Sequence, residues 1–280
     1  ARDEDGGPVM LEAWLKEITE ELDRHNQANP DNPAAPFAVN QIVRKTNERL
    51  ERDMEICVRW KVPIWITSMG ARVDVNEAAH SCGGIALHDV INNTYAKKAI
   101  EKGADGLIAV CAGAGGHGGP QSPFALTREI REWFDGPILA GGAVSTGEAL
   151  LAARVLGADF GYVGSPFVAT HEADAADVYK DMMVAGSAED VITTAVFTGH
   201  PATYLRSSIT KEGLDPDNLP TDWKPSILPD GDDLPKAWRD IWGAGQGINA
   251  VKSVGPAAEV VNRLEQEYKA AISRMRAEIC

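Results

Sequence analysis

The chain has 280 residues, 44% of them hydrophobic and 24% charged, which is enough for a large core and a size common for one α/β barrel. Its formal charge of −14 repels nucleic acid and anionic membrane surfaces, so neither is expected as a partner. No segment is long and apolar enough to span a bilayer. None of Cys57, Cys82, Cys111 and Cys280 stands at a metal-ligand spacing; the first three sit in apolar settings, as buried thiols do in a reducing, cytoplasmic compartment.

Ala1–Gly7 reads as a charged approach to a first helical pattern over Val9–Asn26. Short, nearly continuous apolar runs then alternate with amphipathic segments. The predicted strands are Pro36–Val43, Val62–Ser68, Gly84–Val90, Gly106–Ala112, Pro137–Gly142 and Asp159–Gly164. Runs of this kind suit parallel strands covered on both faces. The predicted helices between them are Thr46–Trp60, Asp74–Ser81, Thr94–Lys102, Pro123–Phe134 and Ser145–Leu156, each long enough for a parallel crossover. Gly103-Ala104-Asp105 and Gly157-Ala158-Asp159 precede strands, as glycine C-caps in αβ loops do.

Beyond Gly164, Ala173–Ala185 and Ser187–Thr194 have helical patterns. A long loop follows over about 206–247, with the Pro/Asp/Gly-rich Lys211–Pro235 at its centre, and it is expected to act as a lid. Within it, Ala237–Trp242 reads as a short helix. The last predicted helix, Gly255–Glu278, carries an apolar stripe of Ala258, Val261, Leu264, Tyr268 and Ile272 for packing on a barrel exterior. The expected fold is therefore α/β, one TIM-type (β/α)8 barrel over 1–280. Six strands are two short of that barrel, which suggests that its first two βα units are absent from this chain.

The polar and glycine-rich residues follow the strands and so fall on one rim, where such barrels build their sites. Ala112-Gly113-Ala114-Gly115-Gly116-His117-Gly118-Gly119 follows a predicted strand. Its glycines let backbone approach a flat ligand, and its histidine can exchange protons near neutrality. Gly141-Gly142 and Gly164-Ser165 follow the last two strands. Exposed backbone amides at those positions would form a phosphate cradle without a lysine. His88 at a strand end and Trp242 beside Gly243-Ala244-Gly245-Gln246 are candidate pocket residues. No histidine pair is spaced to preorganise a metal.

These motifs, in this order, resemble the nitronate monooxygenases, formerly 2-nitropropane dioxygenases. The similarity runs from about Phe37 to the C-terminus, and its motifs are shared across a broader group of FMN barrels. It implies a non-covalent FMN, with its phosphate at Gly141, Gly142, Gly164 and Ser165. Asn40, Gly115 and Gly116 would lie near the ribityl chain and ring, with Tyr162 and Val163 behind and Gln246 approaching from the C-terminal segment. His117 matches the catalytic histidine. The implied reaction is oxidation of alkyl nitronates or nitroalkanes by O2 to carbonyl compounds and nitrite. NAD(P)H-dependent reduction of a quinone or enoyl substrate on the same FMN is the alternative. The expected partners are a small-molecule substrate and O2, and a homodimer is compatible with the resemblance. Some relatives carry lysine where Asp89 follows His88, or glutamine where this chain has Val110, and these departures bear on the substrate.

Overall fold

The computed structural model describes residues 9–220 and 235–279. Of the expected lid, 221–234 lie outside the described residues, as does the Ala1–Gly7 approach. The chain divides into two compact units, one of 1–89 and 94–107, the other of 90–93 and 108–280.

The first unit opens with α1 (Val9–Ala28) and continues through β1 (Ala38–Ile42), α2 (Leu50–Arg59), β2 (Ile64–Ser68), α3 (Val73–Ser81), β3 (Ile85–Val90) and α4 (Asn93–Glu101). β1 pairs β2 and β2 pairs β3, both in parallel, with Ile42 opposite Ser68 and Thr67 opposite His88. The β2 side chains Trp65, Ile66, Thr67 and Ser68 are all buried, which explains why this strand reads as a continuous run. Leu15, Leu50, Ile56, Val62, Trp65, Val75 and Ala86 form the core. Each large aliphatic side chain there contributes about 1.5–3 kcal/mol by leaving water. α1 joins this core through Leu15, and Glu12 on the same helix accepts from the Trp60 indole at 3.3 Å.

The second unit holds β4 (Gly106–Val110, from residue 108 on), β5 (Gly116–His117), α5 (Pro123–Arg131), β6 (Ile138–Gly141), α6 (Gly147–Val155) and β7 (Phe160–Gly161). Then follow α7 (Ser165–Val168), α8 (Asp177–Ala185), β8 (Val191–Thr194), β9 (Ala202–Leu205), α9 (Arg206–Lys211) and α10 (Ala257–Ile279). β4, β6 and β7 are neighbours in that order, and β6 pairs β7 in parallel. Ser122 caps α5 by accepting from Phe124 N at 3.1 Å, with Pro123 at the first helical position. Thr146 caps α6, accepting from Ala149 N at 3.2 Å.

The Gly-Ala-Asp signature has one physical meaning in both units. Gly103 and Gly157 have φ of +90° and +104°, so each ends its helix in the left-handed region. Asp105 then accepts from Ala86 N at 2.7 Å, and Asp159 from Ile138 N at 2.9 Å. Each aspartate thus holds the start of the preceding strand. His80 adds a 2.8 Å contact to Asp105, and Arg131 a 2.6 Å contact to Asp159.

Several sequence expectations change. Ser187–Thr194 is a 3-10 turn over Ala188–Asp190 followed by strand β8, not a helix. Ala237–Trp242 is likewise not a helix; Ala237 and Ile241 form an isolated bridge, closed by Trp238 N donating to Ile241 O at 2.9 Å. The α10 face also turns. Ala258 and Val261 are exposed, and Leu264 and Ala271 are the buried positions. α10 packs on α6 so closely that a Cβ on Gly147 would overlap the backbone of Tyr268. Among the described residues, neither unit closes a barrel by itself. The second adds an antiparallel sheet, β5-β9-β8, that the sequence reading lacks.

Candidate active site

A cavity of about 330 Å³ lies wholly within the second unit. That volume is within the range of small-molecule and cofactor sites. Its walls are the loops after β4, β6 and β7, together with the 243–247 segment. One carbonyl ties three of these together: Gly113 O accepts from Ala143 N at 3.2 Å and from Gln246 N at 2.9 Å. Ser165 Oγ fixes the fourth, accepting from Gly245 N at 2.9 Å.

The glycines divide by what surrounds them. Gly142 has φ +131°, and a Cβ there would lie 2.7 Å from Ala112 O and 3.0 Å from Cys111 Cβ. A Cβ on Gly115 would lie 2.9 Å from Gly245 N. Backbone packing excludes side chains at both positions. Gly164 is different, because a Cβ there would meet nothing within 4 Å. Gly164 lines the cavity, and nothing near it limits what can lie against it.

His117 belongs to β5, whose Gly116 and His117 pair with Thr203 and Ala202 of β9. This pairing, absent from the sequence reading, holds the glycine-rich loop open; Thr203 Oγ1 also donates to Ala114 O at 2.6 Å. His117 Nε2 lies 3.0 Å from Thr198 Oγ1, which donates to His200 O at 3.1 Å. Thr198 has one hydroxyl proton. Both contacts are satisfied when His117 Nε2–H donates to Thr198, which sets the neutral ring as the Nε2–H tautomer.

Trp238 connects His117 to the cavity. Its indole lines the cavity and meets the His117 ring edge-to-face, with centroids 5.4 Å apart. Tyr204 stacks on it at 5.1 Å. Trp238 sits at φ +72°, a left-handed conformation that costs a large non-glycine residue about 1–3 kcal/mol.

Of the predicted site residues, Gly115, Gly116, Gly141, Gly142, Tyr162, Gly164 and Ser165 line the cavity. Val163 and Gln246 stand beside lining residues and do not line it themselves; the Gln246 amide oxygen lies 3.0 Å from the Cβ position of Gly113. His117 is not itself a lining residue; its ring edge meets the lining Trp238. Trp242, expected in the pocket, stacks instead on Tyr179 with centroids 5.0 Å apart, under Lys211 Nζ at 4.8 Å. Tyr179 is the lining residue, and its phenol, pushed up to about 12 by burial, donates to Gly243 O. Trp238, Tyr179 and Thr198 were not anticipated.

Asn40 and His88 belong to the first unit. There Ser68 Oγ donates to Asp89 Oδ2 at 2.6 Å and also approaches Asn40 Oδ1 at 3.1 Å. Asp89 Oδ1 is buried without a hydrogen-bond partner among the described residues. Burial pushes Asp89 up to about 6 against the Ser68 bond. His88 Nδ1 lies 2.6 Å from Thr67 Oγ1; burial, and then the charge of Lys102, push His88 down to about 4. Cys57 and Cys111 are buried thiols pushed up to about 12. Among the described residues no group of His, Cys, Asp and Glu could hold a metal, and no helix is long and apolar enough to cross a membrane.

The nitronate monooxygenase family model matches residues 13–267. The chain belongs to that family. A nitronate monooxygenase of Paraburkholderia phytofirmans is 30% identical over 224 residues, covering 72% of this chain; the chain spans 60% of that relative's length. Among solved structures, FabK from Thermotoga maritima matches with TM-score 0.72 at 22% identity, covering 97% of this chain and 86% of that one. A nitroalkane oxidase from Streptomyces ansochromogenes matches with TM-score 0.71 at 20% identity, covering 91% and 87%. These likenesses carry the fold, α/β of the TIM-barrel type.

Proposed function

We propose that this chain is the flavin-holding part of an FMN-dependent nitronate monooxygenase, which oxidises alkyl nitronates or nitroalkanes with O2 to carbonyl compounds and nitrite. The observation that carries the reading is the cavity itself. Four glycine-bearing loops converge on it, Gly164 opens onto free space, and the His117 ring stands at its Trp238 wall. Gly141, Gly142, Gly164 and Ser165 would hold the phosphate through backbone amides, with Ser165 already fixed by Gly245. Gly115 and Gly116 would face the ring system, with Tyr162 and Val163 behind it. When bound, FMN supplies the redox chemistry.

His117 supplies the proton chemistry. The imidazole takes the α-proton of a nitroalkane, with its ring oriented by the Thr198 contact. The protonated ring then holds the anionic nitronate. Val110, Val144, Val168 and Trp238 give the cavity its apolar walls. The buried thiols fit a cytoplasmic location.

The test is His117→Asn. FMN should remain bound while turnover of neutral nitroalkane collapses by about 10²-fold or more. Undiminished turnover would remove His117 from the reaction.

A further inference from the structure

We propose that Trp238 determines substrate specificity: its indole is the wall against which the alkyl part of the substrate packs, and it sets the chain length that can lie before His117. The inference rests on the nitronate reading for its substrate class, and on the following geometry for its site.

Two glycines from separate segments are bare where this indole lies. Cη2 of Trp238 comes within 3.7 Å of the Cβ position of Gly116, and Cζ3 within 2.9 Å of that of Gly243. Any side chain at Gly243 would collide with the ring, and the strained φ +78° of Gly116 disfavours one there as well. The ring is therefore seated in a fitted slot between the histidine loop and the C-terminal segment.

Its surroundings are asymmetric. Tyr204 backs it, stacked at 28°, and Phe197 buttresses Tyr204 edge-on at 5.1 Å. His117 meets it at an interplanar angle of 62°. The remaining surface faces the cavity and solvent, leaving Trp238 44% exposed. A large apolar ring that lines a cavity, stays part exposed and stacks on Tyr204 has the form of a pocket wall. It is carried on a short turn closed by Trp238 N to Ile241 O and by Asp240 N to Lys236 O, both 2.9 Å. Because the turn is local, removing the ring shortens the wall without removing a strand or helix. Apolar pockets discriminate by about 10-fold or more per methylene when a wall limits their length.

The experiment compares wild type, Trp238→Phe and Trp238→Ala with 1-alkyl nitronates from ethyl to hexyl. It reads kcat, KM and FMN affinity. The Ala variant should raise kcat/KM for hexyl relative to ethyl nitronate by about tenfold or more, through KM, with Phe between it and wild type. FMN should remain bound in both variants, because the phosphate loops are untouched. An unchanged chain-length ratio in both variants would overturn the proposal, as would loss of FMN from both. Anaerobic binding of the same nitronates, read from the flavin spectrum, needs no turnover. Chain-length discrimination in binding by a wild type that turns over none of them would retire the oxygenase reading and leave the wall standing.

Discussion

Thr198 Oγ1 sits 3.0 Å from Nε2 of His117 and donates to the carbonyl of His200 at 3.1 Å, so one threonine hydroxyl links the imidazole to the backbone. Thr198→Val removes that hydroxyl and its contact with Nε2. The expected result is a fall in kcat of about tenfold or more with bound FMN unchanged, since a lost hydrogen bond in a buried setting costs about 1–3 kcal/mol. Thr198→Ser should recover most of it. Recovery in the valine variant instead would show that the hydroxyl does not orient the ring.

The glycines of the cradle predict two different failures. Gly142→Ala meets a positive φ and the Ala112 carbonyl, so it should destabilise the fold by about 2 kcal/mol or more. Gly164→Ala meets nothing within 4 Å, so the protein should melt within about 2 °C of wild type. Its methyl would stand in the space assigned to the cofactor, and FMN affinity should drop about tenfold or more. Thermal melts and FMN titrations separate the two. Normal FMN affinity in Gly164→Ala would move the phosphate elsewhere.

His88 and Asp89 predict opposite pH slopes from adjacent residues. His88 is pushed from 6.5 to about 4, so its stabilising contribution is lost as pH falls from about 6.5 to 4. Asp89 is pushed from 3.8 to about 6, so the folded state binds its proton more tightly, and stability falls as pH rises from about 4 to 6. Each effect is on the order of 3 kcal/mol, and the two largely cancel in wild type. In Asp89→Asn, stability should rise with pH across that window. In His88→Gln it should fall. Denaturant melts from pH 4 to 7 check the signs, and parallel slopes in the two variants would refute the assignment.

Much of the fold was legible because burial on both faces writes itself as apolar runs. β2, with Trp65 to Ser68 all buried, is the plain case. The Gly-Ala-Asp tails were legible as helix ends, although the aspartate's bond to the preceding strand depends on tertiary pairing. The β5-β9-β8 sheet was not legible. Gly116-His117 is a two-residue strand inside a glycine loop, and its partner Thr203-Ala202 lies more than eighty residues away. Local pattern cannot report such a pairing. In the site, the glycine motifs fall on the walls of the cavity, but Trp238 was read as part of a helix. Its left-handed backbone and its stacking on Tyr204 come from contacts across sequence. Trp242 carried the stronger local signal beside Gly243-Ala244-Gly245-Gln246, yet it braces Tyr179 from outside the cavity.

The central claim is that the glycine-lined cavity of the second unit receives FMN. The most direct measurement is titration of the purified protein with FMN, following flavin fluorescence and absorbance. One FMN per chain should bind with a perturbed flavin spectrum, and Gly164→Ala should weaken that binding. A folded protein that leaves the flavin spectrum unchanged at saturating FMN would contradict it.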